Sequence, residues 1–551
     1  MQFLCDSHQK CRKLFNLAQV INDMRKETRR NLFIAATYGA ALFLGILLGQ
    51  NYADENSRTG GASLLPLGIS EKTGKVQRII DLIASNYVDS VDIDQLQHLA
   101  IDEIVSQLDP HSEYLRPNQA LKQHETLEGT FEGIGIEYYI LNDTLMTVGL
   151  INGGPAQRAG IRVGDKLIAI NGDTVAGVRI TDKAIEGKIR GRKGTAIEIS
   201  INRNGKDLPL PIKVMRDRVE VSSIDAAYII DSATAYIKIR RFGARTADDF
   251  KQALQNLKKQ GAQRLILDLR ENGGGYFNAA TALASQFFED KRLIVYTEGA
   301  HEPRVDYYSS ANGIFGEGDL VVLIDEQSAS ASEIVAGAIQ DLERGIIVGR
   351  RSFGKALVQE QFGFGDGSAL NLTVARYYTP LGRSIQRSYT VHTGKDVQVT
   401  NLPAQGKSEV DTIIYKTESG KLVYGGGGIS PDIWVPIDSS GISALYRKIR
   451  RANLIETYVY GRLTKSLPAY AVENYLKGYF LPDKEYQNFL QHIREKGIEY
   501  TPNEANAVKP LIRTDIEALL GRYYFGSEAF FRVRNRSDNV LAQALLTLQT
   551  E

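Results

Sequence analysis

The chain has 551 residues, 43% of them hydrophobic and 24% charged, more than one core can organise, and divides into roughly three or four domains. Its 66 Lys and Arg against 65 Asp and Glu leave a net charge of +1, so no global field draws nucleic acid or selects acidic substrates. Specificity must be local. Both cysteines, Cys5 and Cys11, stand near the start, which excludes a metal-thiolate centre, a disulfide framework and a cysteine nucleophile from everything downstream.

Leu32 to Gly49 reads LFIAATYGAALFLGILLG, uncharged and just long enough to cross a hydrocarbon core of about 30 Å as a helix. Arg25, Lys26, Arg29 and Arg30 precede it, so the positive-inside rule holds residues 1–31 in the cytoplasm. A cleaved signal peptide and a buried core helix compete with this reading. The run exceeds a usual signal core and GQNYADEN offers no small-x-small cleavage site, which favours an uncleaved transmembrane anchor over 32–49. Met24 opens a charged leader, MRKETRR, so Met1 and Met24 both stand as candidate starts. Residues 50–70 read as a polar linker.

Residues 71–127 form an N-terminal helical region, with helical spacing in Val76, Ile79, Ile80, Ile83 and again in Leu96, Leu99, Ile104, Leu108. DPHSEYL, Asp109 to Leu115, punctuates it. From 128 to 219 the pattern changes to short β-type runs between glycines: IGIEYYI, LMTVGLI, KLIAING and AIEISINRNG. Within them GGPAQRAGIRVGDKLIAING, Gly153 to Gly172, resembles a PDZ domain of the bacterial circularly permuted kind. That resemblance implies that a peptide adds as a strand to the sheet edge while amides of the loop Gly133, Ile134, Gly135 and Ile136 capture its terminal carboxylate. A glycine-rich strand entry without a ligand is the plainer alternative.

Over 220–440 strands and helices alternate: ATAYIKI, ADDFKQALQNLKKQ, RLILDLR, NAATALASQFFE, DLVVLID, SEIVAGAIQDLE and GIIVG. This order predicts an α/β layer with much parallel pairing and functional groups at the carboxyl ends of strands. Residues 441–551 read as a C-terminal helical region. No internal repeat is present, which argues against a solenoid.

Three motifs of the α/β segment can carry chemistry. SASASEIVAGAIQD places Ser330 at the end of a strand and the first turn of a helix, where free amides and the helix dipole favour an oxyanion. Ser330-x-x-Glu333 is equally a capping box, which needs no chemistry. FGKALVQ surrounds Lys355 with apolar residues, and a lysine serves as general base only where desolvation lowers its pKa; a solvated surface charge is the alternative. DLRENGGG ends a strand in three glycines whose amides can approach a tetrahedral intermediate, or which merely permit a tight turn. The seven histidines include no HExxH pair, and none lies beside the serine motif in sequence.

DPHSEYL, the PDZ-like block, DLRENGGG, SASASEIVAGAIQD, SFGKALVQ, TPLGRSIQ and GGGGISPD occur in the order seen in the carboxyl-terminal processing peptidases, or tail-specific proteases, over about residues 70 to 435. The resemblance implies a multidomain α/β protein whose core is of the crotonase and Clp-protease type, with an inserted β-rich PDZ-like domain. It implies Ser330 as nucleophile, Lys355 as general base and Gln359 as the residue that orients the lysine. Asp341 and Glu333 match acidic positions assigned supporting roles in other members. An oxyanion hole is implied at Gly274 or Gly275 together with the Ala331 amide. Gly273 stands where many members have proline.

The expected protein is thus a single-pass inner-membrane serine endopeptidase of a bacterium, its catalytic body in the periplasm, needing no metal or organic cofactor. Its partners would be unfolded or tail-exposed proteins, with the helical ends available to an adaptor or a homodimer, and no nucleic acid. A non-catalytic envelope PDZ scaffold is the rival. It would retain the PDZ loop after losing the nucleophile, base or glycines, yet all three are present.

Overall fold

A computed structural model describes residues 74–390, 398–399, 413–439, 441–464, 475–476 and 480–550. The chain divides into two units, 1–93 and 94–551. In the first, helix α1 (Lys75–Asn86) carries the apolar spacing expected of it. Segment 32–49 lies outside the described residues. Among the described residues no helix is long and apolar enough to cross a membrane, and on that finding the single-pass inner-membrane localisation is withdrawn.

The second unit opens with α2 (Ile93–Ser106) and α3 (Pro117–Glu128). Between them DPHSEYL supplies β1 (Glu113–Leu115), which pairs antiparallel with a strand some 250 residues on. A PDZ-like sheet follows, preceded by β2 (Thr130–Gly133) and built from β3 (Ile136–Ile140), β4 (Leu145–Leu150), β5 (Lys166–Ile170), β6 (Ala196–Arg203) and β7 (Ile212–Met215), with helix α4 (Asp182–Ile189). Its core is aliphatic: Ile134, Leu145, Leu167, Ile185, Ile197, Ile199 and Val214 are all buried. β8 (Asp217–Glu220) then pairs with β2, so the sheet enters and leaves the rest of the unit through one two-stranded stalk.

The α/β core is a six-stranded sheet in the order β9 (Ile224–Ile229), β10 (Thr234–Ile239), β11 (Arg264–Asp268), β14 (Leu320–Ile324), β15 (Ile346–Gly349) and β18 (Ile433–Trp434). Only β9 is antiparallel to its neighbour; the other pairings are parallel, as the alternating pattern predicts. Strand residues divide by parity, as a sheet buried on both faces requires. Ile237, Leu265, Leu267, Val322 and Ile324 pack toward α5 (Thr246–Lys259), α6 (Phe277–Ala284) and α7 (Ala331–Asp341). Tyr236, Ile266, Val321 and Leu323 pack on the other face against Val540, Leu541, Ala544 and Leu548 of the last helix, α13 (Asn539–Thr550).

A second, antiparallel sheet joins β1, β12 (Leu293–Glu298), β13 (Val305–Tyr308), β16 (Leu357–Gly363) and β17 (Ala369–Tyr378). The C-terminal helices α8 (Ala444–Arg451), α9 (Leu454–Tyr458), α10 (Asp483–Glu495), α11 (Pro502–Phe525) and α12 (Ser527–Arg534) bury their own aromatic core. Leu141, Met146 and Val148 of the PDZ-like sheet are part of that core. An ion pair of 2.8 Å between Arg522 and Glu137 reinforces the contact.

Candidate active site

The site is assembled at the carboxyl ends of β11, β14 and β15, where a parallel sheet presents its loops. The loop after β14 is held from below: Ser328 Oγ donates to Leu269 O at 2.8 Å, Ala329 N–H to Asn272 O at 3.0 Å and Ser332 Oγ to the same carbonyl at 2.9 Å. Ser330 in this loop takes φ +54°, a left-handed conformation costing a side-chain-bearing residue about 1–3 kcal/mol, so the surroundings must hold it there. Its hydroxyl stands at the first turn of α7.

Glu333, one turn into α7, is fully buried and does much of the holding. Its Oε2 accepts from Ser330 N–H and Lys355 N–H, each at 2.9 Å. Its Oε1 accepts from Gly354 N–H at 2.7 Å and Ser352 Oγ at 2.5 Å. One carboxylate therefore ties the serine loop to the lysine loop. Burial pushes its pKa up to about 7, against the four donors, which favour the ionised form. Tyr377, also buried, places its hydroxyl 3.1 Å from Ser330 O and 2.8 Å from Lys355 O, a second clasp between the same loops.

Lys355 lies in the coil between β15 and β16. Burial lowers its pKa, opposed by the charges of Asp109, Glu113 and Glu333. Nζ donates to Gln359 Oε1 at 2.7 Å, and Gln359 Nε2 donates in turn to His111 O at 2.5 Å. Gln359 can do this because the β16–β17 register shifts between Val358 and Gln359, a bulge that re-aims its side chain. No hydrogen bond joins Nζ to Ser330 Oγ; the two residues line one cleft of about 650 Å³.

The glycine run lies against the serine. A Cβ on Gly274 (φ +99°) would stand 2.8 Å from Ser330 Cβ, and one on Gly275 (φ +142°) would overlap Phe242 O, so neither position tolerates a side chain. Gly274 N–H already donates to Asn272 Oδ1 at 2.9 Å, whereas no such bond engages the Gly275 or Ala331 amide among the described residues. The strand leading to this run is anchored by a buried cluster: Asp268 accepts from Tyr236 and from Arg270, each at 2.7 Å. Arg270 also meets Asp538 at 2.7 Å, just before α13. Although burial alone would raise it, the Arg270 and Lys238 charges hold the Asp268 carboxyl well below the usual range.

Of the residues singled out in the sequence, Ser330, Lys355, Gln359, Glu333, Gly274, Gly275 and Ala331 converge here. Asp341 does not: it ends α7, about 15 Å along the helix from the serine. There it pairs with Arg383, whose side chain is fully buried, and accepts Leu381 N–H at 3.0 Å. Asp341→Ala is expected to destabilise the fold by about 3–5 kcal/mol by leaving a buried guanidinium uncompensated, read as a lower urea midpoint. Sequence reasoning missed Tyr377, Ser352, Asn272 and the His111 carbonyl. A buried Tyr in an alternating strand and a backbone acceptor carry no local signal.

In the PDZ-like loop, Gly133 ends β2 opposite Asp217, and Ile134 is buried with its carbonyl accepting Ala156 N–H at 2.8 Å. Gly135 (φ +73°) makes the turn and Ile136 opens β3, an edge strand of its sheet. No group of acidic, His or Cys side chains suited to a metal ion occurs among the described residues.

Residues 233–399 match the model of peptidase family S41, residues 148–203 that of the PDZ domain, and residues 445–526 a family of unknown function. A carboxy-terminal-processing protease of Bartonella bacilliformis is 36% identical over 313 residues, 56% of this chain and 71% of that protein. A probable CtpA-like serine protease of Staphylococcus aureus is 29% identical over 388 residues, 69% of this chain and 76% of that one. The solved photosystem II D1 C-terminal processing protease is 25% identical, with 68% of this chain and 91% of that chain covered and a TM-score of 0.33.

Proposed function

We propose a mechanism for a chain that belongs to peptidase family S41, the family of the carboxy-terminal-processing serine proteases. Ser330 Oγ attacks the scissile carbonyl, Lys355 Nζ takes its proton and later returns it to the leaving amine, and Gln359 steers the lysine. The Gly275 and Ala331 amides receive the oxyanion, with the α7 dipole behind them. The reading rests chiefly on one observation, the half-buried, pKa-lowered lysine held by an amide in the same cleft as a serine at a helix N-terminus. Attack requires Nζ to turn from Gln359 toward Ser330, a tightening common when substrate fills an apo site.

The substrate is a protein with an exposed or unfolded carboxyl tail. Its terminal residues add to the open edge of β3, and the Gly133–Ile136 turn receives the carboxylate. The proposed division of the chain is a PDZ-like module at 128–219, a Ser-Lys core of crotonase and Clp-protease type at 220–440, and helical ends at 71–127 and 441–551. An adaptor or a second copy would dock on those ends, where Val76, Ile79 and Leu82 of α1 are exposed.

The base assignment is tested by the pH profile of kcat/KM. A lysine base works only when neutral, so activity falls as pH drops through its pKa, which here lies below the usual 10.5. Gln359→Glu sets a carboxylate beside Nζ and favours its charged form. The acidic limb is expected to move up by about 1–2 pH units, lowering kcat/KM roughly 10- to 100-fold at neutral pH. An unmoved limb would remove Lys355 from the role.

A further inference from the structure

A partly buried guanidinium needs a carboxylate or carbonyls in place of water. Arg240 meets Asp225, Arg270 meets Asp268 and Arg522 meets Glu137. Arg241 is different. The single hydrogen bond of its guanidinium among the described residues runs from Nη1 to Thr126 O at 3.5 Å, and no carboxylate there lies within ion-pairing distance. Burial and the neighbouring Arg240 both disfavour its cation, with only Asp225 opposing them.

Its position is set by the oxyanion run. The next residue, Phe242, donates its N–H to Gly274 O at 2.8 Å and accepts Tyr276 N–H at 2.7 Å. Arg241 is thereby fixed to the backbone facing Ser330, and it lines the same cleft as Ser330, Gly274 and Gly275. An incompletely partnered guanidinium fork in the cleft that holds Ser330 is a receptor for two oxygens of one anion.

We propose that Arg241 is a carboxylate subsite of the catalytic cleft, taking an acidic side chain or the free terminal carboxylate of the polypeptide being cut. This deepens, and rests on, the peptidase reading of the cleft. It also supplies a local selectivity that a net charge of +1 cannot.

The test uses the Ser330→Ala chain and short fluorescent peptides rich in alanine and valine, titrated by anisotropy. In one arm a single Glu or Gln is moved through each position of amidated peptides; in the other, Gln peptides carry a free or an amidated end. Tighter binding by roughly 10- to 100-fold is expected for Glu at one position, or for the free end, identifying the carboxylate's source. Adding Arg241→Ala should bring that ratio close to one, Arg241→Lys should restore part of it, and Arg241→Glu should shift the preference to a Lys-bearing peptide. The PDZ-like module is the same in every variant, so a change in ratio belongs to Arg241. Equal affinities throughout, or a preference that survives Arg241→Ala, would overturn the subsite. Cleavage by the otherwise unaltered chain is followed in parallel; its absence would count against the peptidase chemistry, while the binding ratios still decide the subsite.

Discussion

Ser330→Ala is expected to lower kcat/KM by roughly 10⁴- to 10⁶-fold while leaving the fold intact. The loss is confined to one oxygen, because the contacts that hold this residue at φ +54° are made by its backbone, through Glu333 and Tyr377. The melting temperature should therefore shift by no more than about 2 °C. Lys355→Ala should cost a similar factor, because an unassisted serine hydroxyl is a poor nucleophile at neutral pH. Removing a buried cation relieves desolvation, so that variant should be at least as stable as the parent. The double variant should be scarcely slower than either single one, since the two groups act in the same step. Steady-state cleavage of an unfolded protein with an apolar tail, beside thermal melts, checks all three expectations.

Glu333→Gln is the second large effect, and it separates holding the site from performing the chemistry. Ionised, the native carboxylate accepts four donors and donates none. A glutamine turns one of its ends into a donor and sets it against two of them. Each unsatisfied buried group costs about 1–3 kcal/mol, so a loss of about 2–4 kcal/mol is expected, together with a roughly 10²-fold fall in kcat as the serine and lysine loops part. Titration supplies a readout that a packing defect would not give. The folded group takes up its proton near pH 7 and the unfolded one near its usual 4.5. Between those values the native state binds more protons, so this residue's contribution to stability falls as pH rises from about 4.5 to about 7, by about 3 kcal/mol in all. Urea melts across that window should show the slope in the parent and not in Glu333→Gln. Activity should change in the opposite direction, because raising the pH both ionises Glu333 and neutralises Lys355.

The core was legible in the sequence wherever one local pattern determines one element. The parallel strands announced themselves as short apolar runs and the helices as 3.6-residue stripes; the ordered motifs brought Ser330, Lys355, Gln359 and the glycines to one place. Pairings over long separations were not legible. DPHSEYL read as punctuation, yet it forms β1 and offers the His111 carbonyl to Gln359, 248 residues away. His111 stood apart from the serine motif in sequence, and in the fold burial, with the Lys355 charge second to it, lowers its pKa. Of the Ser330-x-x-Glu333 capping box the glutamate half forms, Glu333 accepting Ser330 N–H, and the same carboxylate also reaches across to Gly354 and Lys355, a link that helix periodicity cannot reveal. Asp341 shares an acidic identity with Glu333 and a helix with Ser330, and helix length alone removes it from the site.

The Ser330–Lys355 chemistry is tested most directly by covalent capture. The chain is incubated with a fluorophosphonate at neutral pH, digested, and the modified residue located by mass spectrometry, alongside the Lys355→Ala and Gln359→Glu forms. A single adduct on Ser330, slowed in step with peptide cleavage in both variants, is the expected result. An adduct on another residue, or a Ser330 adduct that forms as fast without Lys355, would contradict the mechanism.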